Sequence, residues 1–209
     1  MAGYNTFSVF YDALLERLYK SSRRQAADAL GLEPGAAVID LACGTGQNFP
    51  FLVERLGEEG RLVGVDLSPG MLGRARRRAR NWPQVRLLEM DARELAPRHI
   101  AEACGGPVAV DAVLVTLGFT VIPDWQAVFE KTFELLRPGG RYVIFDAYAD
   151  AERRVPQSRV VEFFAQADLG RRVWEPLERA SKDFERRILP GSPHVHGGLL
   201  VLASGLRPE

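Results

Sequence analysis

Val38-Ile39-Asp40-Leu41-Ala42-Cys43-Gly44-Thr45-Gly46-Gln47-Asn48 decides how this chain folds. A β-branched apolar run leads into a glycine-rich turn, and helix-patterned residues follow through Leu52, Val53 and Leu56. Glycines in such a turn tolerate unusual φ and let a ligand come close to the backbone. Asp40 ends the strand, directly before the loop. A carboxylate there repels a dinucleotide's diphosphate and attracts a ligand that carries an ammonium or sulfonium. The G-x-G-x-x-G dinucleotide fingerprint also fails, because Phe49 stands at its third glycine and obstructs close helix–strand packing.

Strand and helix signals alternate outward from that turn. Strands read at Ala37–Leu41, Arg61–Asp66, Val85–Glu89, 111–116 and 141–146, and helices at 46–56, 69–80 and 125–136. Residues 95–104 hold a short helix or an irregular loop. Such alternation means βαβ units and a mostly parallel sheet. Ahead of the first strand, Phe7, Phe10, Tyr11, Leu14, Leu15, Leu18 and Tyr19 recur at helical spacing, and Gly31 and Pro34-Gly35 punctuate the chain after it. Beyond Asp146 comes a polar, arginine-rich helical region over 151–182, broken near Gly170. Strand candidates at 184–189 and 198–204 follow, joined by Pro190-Gly191-Ser192-Pro193. The expectation is one domain over 1–209, with a helical cap (1–34), a core (35–147) and a helical segment with a terminal hairpin (148–209). That hairpin places an antiparallel strand in an otherwise parallel sheet.

With 46% apolar residues in 209, one large core is affordable. Lys plus Arg and Asp plus Glu balance at 27 each, which argues against a nucleic-acid partner. Cys43 and Cys104 form no disulfide framework, and no C-x-x-C pair or His/Cys cluster predicts a metal. Residues 1–5 lack the order of a signal peptide, and the apolar stretch 108–122 is too short to span a bilayer. A cytoplasmic protein is expected. The run Arg74-Ala75-Arg76-Arg77-Arg78-Ala79-Arg80 reads as a solvated helix face, with peripheral docking on anionic headgroups as the alternative.

Three further constellations bear on chemistry. Asp66 lies 20 residues beyond Gly46, where an acidic side chain can accept both hydroxyls of a ribose. The competing role, capping the next helix, suits Ser68 better because it precedes Pro69. Asp91, just after the third strand, can accept from an adenine amino group with the Ala92 backbone completing the edge, or can simply cap the following turn. Met90 or Leu67 supplies an apolar ring face. Thr116 to Phe119 end the fourth strand, at the edge where open α/β sheets bind ligands. Leu136-Arg137-Pro138-Gly139-Gly140 is a helix stop and tight turn.

In this order and spacing the motifs resemble those of class I S-adenosylmethionine-dependent methyltransferases over residues 35–146. The resemblance implies a Rossmann-like α/β three-layer sandwich whose seven-stranded sheet is mostly parallel with the last strand antiparallel. It also implies S-adenosylmethionine as cofactor, with contacts at Asp40, Ala42, Gly44, Gly46, Asp66, Leu67, Asp91, Ala92 and Thr116. Cys43, Met71 and Leu117 complete the candidate cofactor set. Ala42 departs from the glycine that many members carry there. The aromatic segment from Tyr4 to Tyr19 resembles the N-terminal cap of the ubiquinone/menaquinone and phospholipid N-methyltransferase group. Tyr11 or Tyr19, with Lys20 or Arg24, then binds the methionine carboxylate, or the helix merely packs on the core.

Methyl transfer to nitrogen or oxygen of a small-molecule or lipid-headgroup acceptor is therefore the expected activity. An NAD-dependent oxidoreductase and a non-catalytic cofactor-binding module are the alternatives. Alignment of the reacting atoms supplies much of the rate, and a base is needed only where the acceptor must lose a proton. The base candidates are His194, His196, His99, Tyr142 and Asp146. His194 and His196 would share one face in an extended turn, and as a metal pair they lack a third ligand. Phe119, Tyr148, Phe163, Phe164 and Trp174 are expected around the acceptor or in the core.

Overall fold

The protein is described from a computed structural model. It covers the backbone of residues 2–150, 152 and 154–209, and the side chains of these apart from 2–15 and 164. Helix α1 (Ala2–Ala29) precedes strand β1 (Ala37–Leu41), and α2 (Phe49–Leu56), β2 (Arg61–Asp66), α3 (Pro69–Arg78) and β3 (Val85–Glu89) follow. The chain continues through α4 (Pro97–Cys104), β4 (Val110–Thr116), α5 (Trp125–Glu134) and β5 (Leu136–Tyr148). It ends with α6 (Pro156–Ala165), α7 (Glu175–Ala180), β6 (Lys182–Leu189), the short α8 (Pro193–His196) and β7 (Leu199–Leu206).

One seven-stranded sheet runs β3-β2-β1-β4-β5-β7-β6, parallel from β3 to β5, with β7 antiparallel to both its neighbours. This is the Rossmann-like architecture of the sequence expectation. All five residues of β1 are buried, as a central parallel strand covered on both faces requires. On one face Val38, Leu62, Leu114, Val143 and Phe145 pack under α1, α2 and α3 through Ala26, Leu30, Phe49, Leu52 and Leu72. On the other, Ile39, Val63, Val113, Ile144 and Val201 pack under α4, α5 and α7 through Ile100, Trp125, Phe129 and Leu177.

Local chemistry sets the boundaries. Ser68 Oγ accepts the Met71 N–H at 3.4 Å and Pro69 opens α3, so Asp66 is released from capping duty. Residues 95–104 resolve as helix α4, whose first turn is closed by His99 Nδ1 accepting the Ala96 N–H at 3.1 Å. Strand β5 begins at Leu136, five residues before the expected start, and a register shift between Val110 and Ala112 of β4 absorbs the Pro138-Gly139-Gly140 turn. The helical region expected over 151–182 with a break near Gly170 forms two helices separated by 166–174, where that break falls. Among the described residues no helix is long and apolar enough to cross a membrane.

From β1 the chain moves outward to β2 and β3, then returns to the other side of β1 as β4. The loops after β1 and β4 therefore diverge, and a crevice opens between them at the carboxyl edge.

Candidate functional site

A cavity of about 300 Å³ occupies that crevice. Ala42, Cys43, Gly44 and Thr45 form one wall, Thr116, Leu117, Thr120 and Val121 another, and Tyr19 and Arg23 of α1 lie against it. Ala42 and Leu117, the first residues after β1 and β4, both hold left-handed φ, 52° and 53°. Non-glycine residues pay for that conformation, and such strain concentrates at ligand sites. A larger groove of about 550 Å³ lies on another face, lined by Arg141, Arg187 and Ser204 among others. It lacks both the glycine loop and the switch point, so the crevice is the better site.

The polar end of the crevice is a buried network. Asn48 Nδ2 donates to Asp40 Oδ1 at 2.7 Å and to Thr116 Oγ1 at 3.0 Å. Arg23 Nη1 donates to Asn48 Oδ1 at 2.9 Å and to Thr116 Oγ1 at 2.5 Å. Asp40 is wholly buried, and its Oδ2 has no hydrogen-bond partner in the protein. Burial pushes its pKa up to about 7 against the opposing pull of the Asn48 bond and the Arg23 charge. Arg23 and Asn48 join this candidate site although neither stood among the residues expected there. The sequence points instead to Lys20 and Arg24, but Lys20 is exposed and Arg24 pairs with Glu54 on the outer surface. The available signal was spacing, since Arg23 lies four residues beyond Tyr19 on the same helix face.

The crevice brings together Tyr19, Ala42, Cys43, Gly44, Met71, Thr116, Leu117 and His196 from the expected set. Burial raises the Cys43 thiol pKa, so it packs as an inert apolar group. Gly46 lies behind the wall at φ 75°, and a Cβ there would meet the Phe49 ring at 2.4 Å. Phe49 thus fills the space that a third fingerprint glycine would leave open. Asp66 braces the loop, accepting from Gly44 N at 2.8 Å through Oδ2 and from Ser68 N at 2.9 Å through Oδ1. Leu67 is exposed beside it. Asp91 accepts the Arg93 N–H at 2.9 Å and pairs with the Arg93 guanidinium at 2.6 Å, which hold its pKa down. It caps the turn that starts at Ala92, the plainer of its two sequence readings. The Tyr11 side chain lies outside the described residues.

Three base candidates, Tyr142, His194 and His99, lie away from the crevice. Tyr142 is buried under α5, bonded to Thr132 Oγ1 at 2.8 Å, with its pKa raised by burial, and does not reach the crevice. His194 and His196 do not share a face, because Ser192-Pro193 starts a helical turn where an extended one was expected. His194 is exposed, whereas His196 is turned in against the Tyr19 ring, with centroids 5.0 Å apart. His99 is occupied in capping α4. Asp146 does line the crevice, buried, accepting from Thr120 Oγ1 at 2.8 Å, Thr120 N at 3.2 Å and Ala147 N at 2.9 Å. Burial lifts its pKa to about 6 against those bonds. Phe119, Tyr148 and Trp174 are core residues, and Phe163 is exposed. Among the described residues no cluster of three or more metal-ligating side chains occurs.

Residues 38–140 match the family model of a methyltransferase domain. The 2-phytyl-1,4-naphthoquinone methyltransferase of Thermosynechococcus vestitus is 33% identical over 155 residues, covering 74% of this chain and 63% of that protein. The demethylmenaquinone methyltransferase of Oceanobacillus iheyensis is 27% identical over 128 residues, 61% of this chain and 51% of its own length. The chain thus spans between half and two thirds of these curated relatives. Among solved structures, the N-methyltransferase NodS of Bradyrhizobium japonicum superimposes with a TM-score of 0.67 at 18% identity, over 92% of this chain and 98% of that one, a likeness of fold.

Proposed function

We propose that this chain is a class I S-adenosylmethionine-dependent methyltransferase, a reading supported by the match of residues 38–140 to a methyltransferase domain, and that it moves a methyl group from S-adenosylmethionine to a small molecule bound in the crevice. The observation that carries the reading is the charge arrangement at the crevice's polar end. The Arg23 guanidinium and the buried Asp40 carboxylate are held by one amide, Asn48. An amino-acid head group offers a carboxylate and an ammonium and meets both, whereas a dinucleotide diphosphate meets a carboxylate and is repelled. The partnerless Asp40 Oδ2 fits the same assignment, since a buried acceptor without a donor is costly until one arrives.

In this reading Arg23 takes the methionine carboxylate and Asp40 faces the ammonium, while Tyr19 covers that end. Gly44, Gly46, Ala42 and Cys43 shape the loop. Asp66 takes the ribose hydroxyls with the lone pairs left beyond its two backbone bonds. Asp91 and Ala92 border the adenine, and Leu67 and Met71 supply apolar contact. Thr116 and Leu117 stand between donor and acceptor. The donor supplies a methyl activated by sulfonium, and the chain's share is to align it and exclude water.

The acceptor half is lined by Leu117, Val121, Val161, Ala165, Ala167 and Leu169. That lining favours an acceptor with an apolar body, extending to lipid-like molecules, and offers nothing to a nucleic acid. Two free cysteines fit residence in the cytoplasm. The test is calorimetry or thermal shift with S-adenosylhomocysteine, S-adenosylmethionine and NAD. Stabilisation should follow RT ln(1 + [L]/Kd) for the adenosyl ligands. A response to NAD alone would sink the assignment. Release of S-adenosylhomocysteine over an acceptor panel, with Asp40→Ala as control, separates an enzyme from a non-catalytic binding module.

A further inference from the structure

We propose that His196 is the catalytic base of this site, taking the proton from a hydroxyl on an apolar-bodied acceptor as the methyl is transferred. The inference deepens the methyltransferase reading and rests on it. Four observations converge. His196 lines the crevice and is 5% exposed, and the next residue, Gly197, lies against Val161 and Leu169 of the acceptor half. Its Nδ1 is buried without a hydrogen-bond partner in the protein. Its opposite edge is pressed against Gly191, where a Cβ would come to 2.9 Å from both Cδ2 and Nε2. Its ring rests on Tyr19, which in turn meets Phe145 edge-on at 6.0 Å. The imidazole is thus held between α1 and the turn after β6, with one nitrogen left for a donor that the protein does not supply.

Asp146 is the rival, and its geometry argues against it. Both of its oxygens already accept bonds from Thr120 and Ala147, which oppose the rise in pKa that burial causes and leave neither oxygen unpartnered, in contrast to His196 Nδ1. Other titratable or charged groups lining the crevice are Tyr19 and Arg23 from α1 and Cys43 from the glycine loop, while α6 and the segment after it present Val161, Ala165, Ala167 and Leu169. Burial lowers the His196 pKa, so the ring is neutral at pH 7 and can accept. In the transfer the acceptor oxygen forms a bond to the methyl carbon as the methyl–sulfur bond breaks, and that electron pair leaves on the thioether sulfur. His196 takes the hydroxyl proton. The positive charge passes from sulfonium to imidazolium, so the pocket's net charge is unchanged and the Asp146 carboxylate remains in the same cavity.

The experiment uses the full chain saturated with S-adenosylhomocysteine, with 1-naphthol as probe and 1-methoxynaphthalene as its capped control. Binding is followed by calorimetry between about pH 5 and 8. Naphthol affinity should fall about tenfold in His196→Leu, the loss of one buried hydrogen bond, while the methoxy control binds wild type and variant alike. It should also fall in the wild type as acid protonates the ring. His196→Gln, which keeps an acceptor atom and has no basicity, should retain naphthol binding and lose that pH dependence, a pattern that a merely structural role would not give. Equal naphthol affinity in wild type and His196→Leu, a pH profile shared by wild type and His196→Gln, or no naphthol binding to the loaded protein would each overturn the proposal. Failure to bind S-adenosylhomocysteine at all would instead overturn the methyl-donor reading beneath it.

Discussion

Asp40→Asn should change how stability depends on pH, by an amount that the burial of Asp40 sets. In the fold one carboxyl oxygen accepts from Asn48 at 2.7 Å, the other has no partner, and the group is wholly buried. Burial raises its pKa from 3.8 to about 7. A raised folded pKa gives stability that is fully present below the unfolded pKa, near 3.9, and lost as pH climbs through about 7. At 1.36 kcal/mol per pH unit the whole loss is about 4 kcal/mol, of which roughly 2–3 falls between pH 5 and 8. The asparagine carries no charge and loses none of it. Its amide also buries donors beside the Oδ2 position, a cost of about 1–3 kcal/mol that is constant with pH. The slope is therefore the readout. Urea unfolding at several pH values, extrapolated to water, should show the variant gaining roughly 2–3 kcal/mol on the wild type from pH 5 to 8. Asp146, raised to about 6, titrates in both proteins and cancels. Parallel curves would refute the reasoning. A second consequence concerns the ligand: an ammonium favours the ionised carboxylate, so wild-type affinity for S-adenosylhomocysteine should rise with pH through about 7, and the variant's should stay flat.

Arg23→Met removes the donor from Asn48 Oδ1 and Thr116 Oγ1, so unfolding free energy should drop by about 1–3 kcal/mol and S-adenosylhomocysteine affinity by at least about tenfold; unchanged affinity in calorimetry would remove Arg23 from the site. Gly64→Ala places a Cβ 2.9 Å from Leu87 Cδ2 and 3.0 Å from both Cys43 Sγ and Phe49 Cζ, and should cost about 1–3 kcal/mol in urea unfolding, with no loss as the contrary result. Arg78→Gln breaks a two-pronged pair with Glu16, at 2.7 and 2.8 Å, and a bond to the Thr45 carbonyl at 3.1 Å. Half-exposed, the pair should contribute at most about 1 kcal/mol to stability, yet stopped-flow release of S-adenosylhomocysteine should quicken as α1 loses its tie to the glycine loop.

The sheet was legible because its strands carry their own boundaries. Strands β1, β2 and β3 are short apolar runs closed by glycine, proline or acid, and were read to the residue. The misread ends have local causes. Strand β5 starts at Leu136 because a register shift lets extended pairing resume on either side of Pro138-Gly139-Gly140, a turn that in isolation signals only a stop. Residues 190–198 look like a plain hairpin loop, but Ser192 followed by Pro193 is also how a helix begins, and here one turn forms. That single turn separates the two histidines and carries His196 inward.

The site was legible where it is made of backbone and illegible where it is made of helix faces meeting across the sheet. The glycine loop, Asp40, Asp66 and the carboxyl edge of β4 follow from strand order alone. No local pattern says that α1 delivers three side chains to that edge. Glu16, Tyr19 and Arg23 stand at i, i+3 and i+7 of α1, hence on one face. Glu16 joins α3 through Arg78, Tyr19 meets His196, and Arg23 enters the Asp40–Asn48–Thr116 network. Arg24, one position on, is turned about 100° away and pairs with Glu54 on the surface. Choosing between adjacent arginines thus required knowing which face of α1 the sheet covers. Ala26, Ala27 and Leu30 record that face in the sequence, because small buried residues let a helix sit close. At 100° per residue, Arg23 and Tyr19 fall within about 30° of the centre of that stripe, whereas Lys20 and Arg24 fall about 70° and 110° from it.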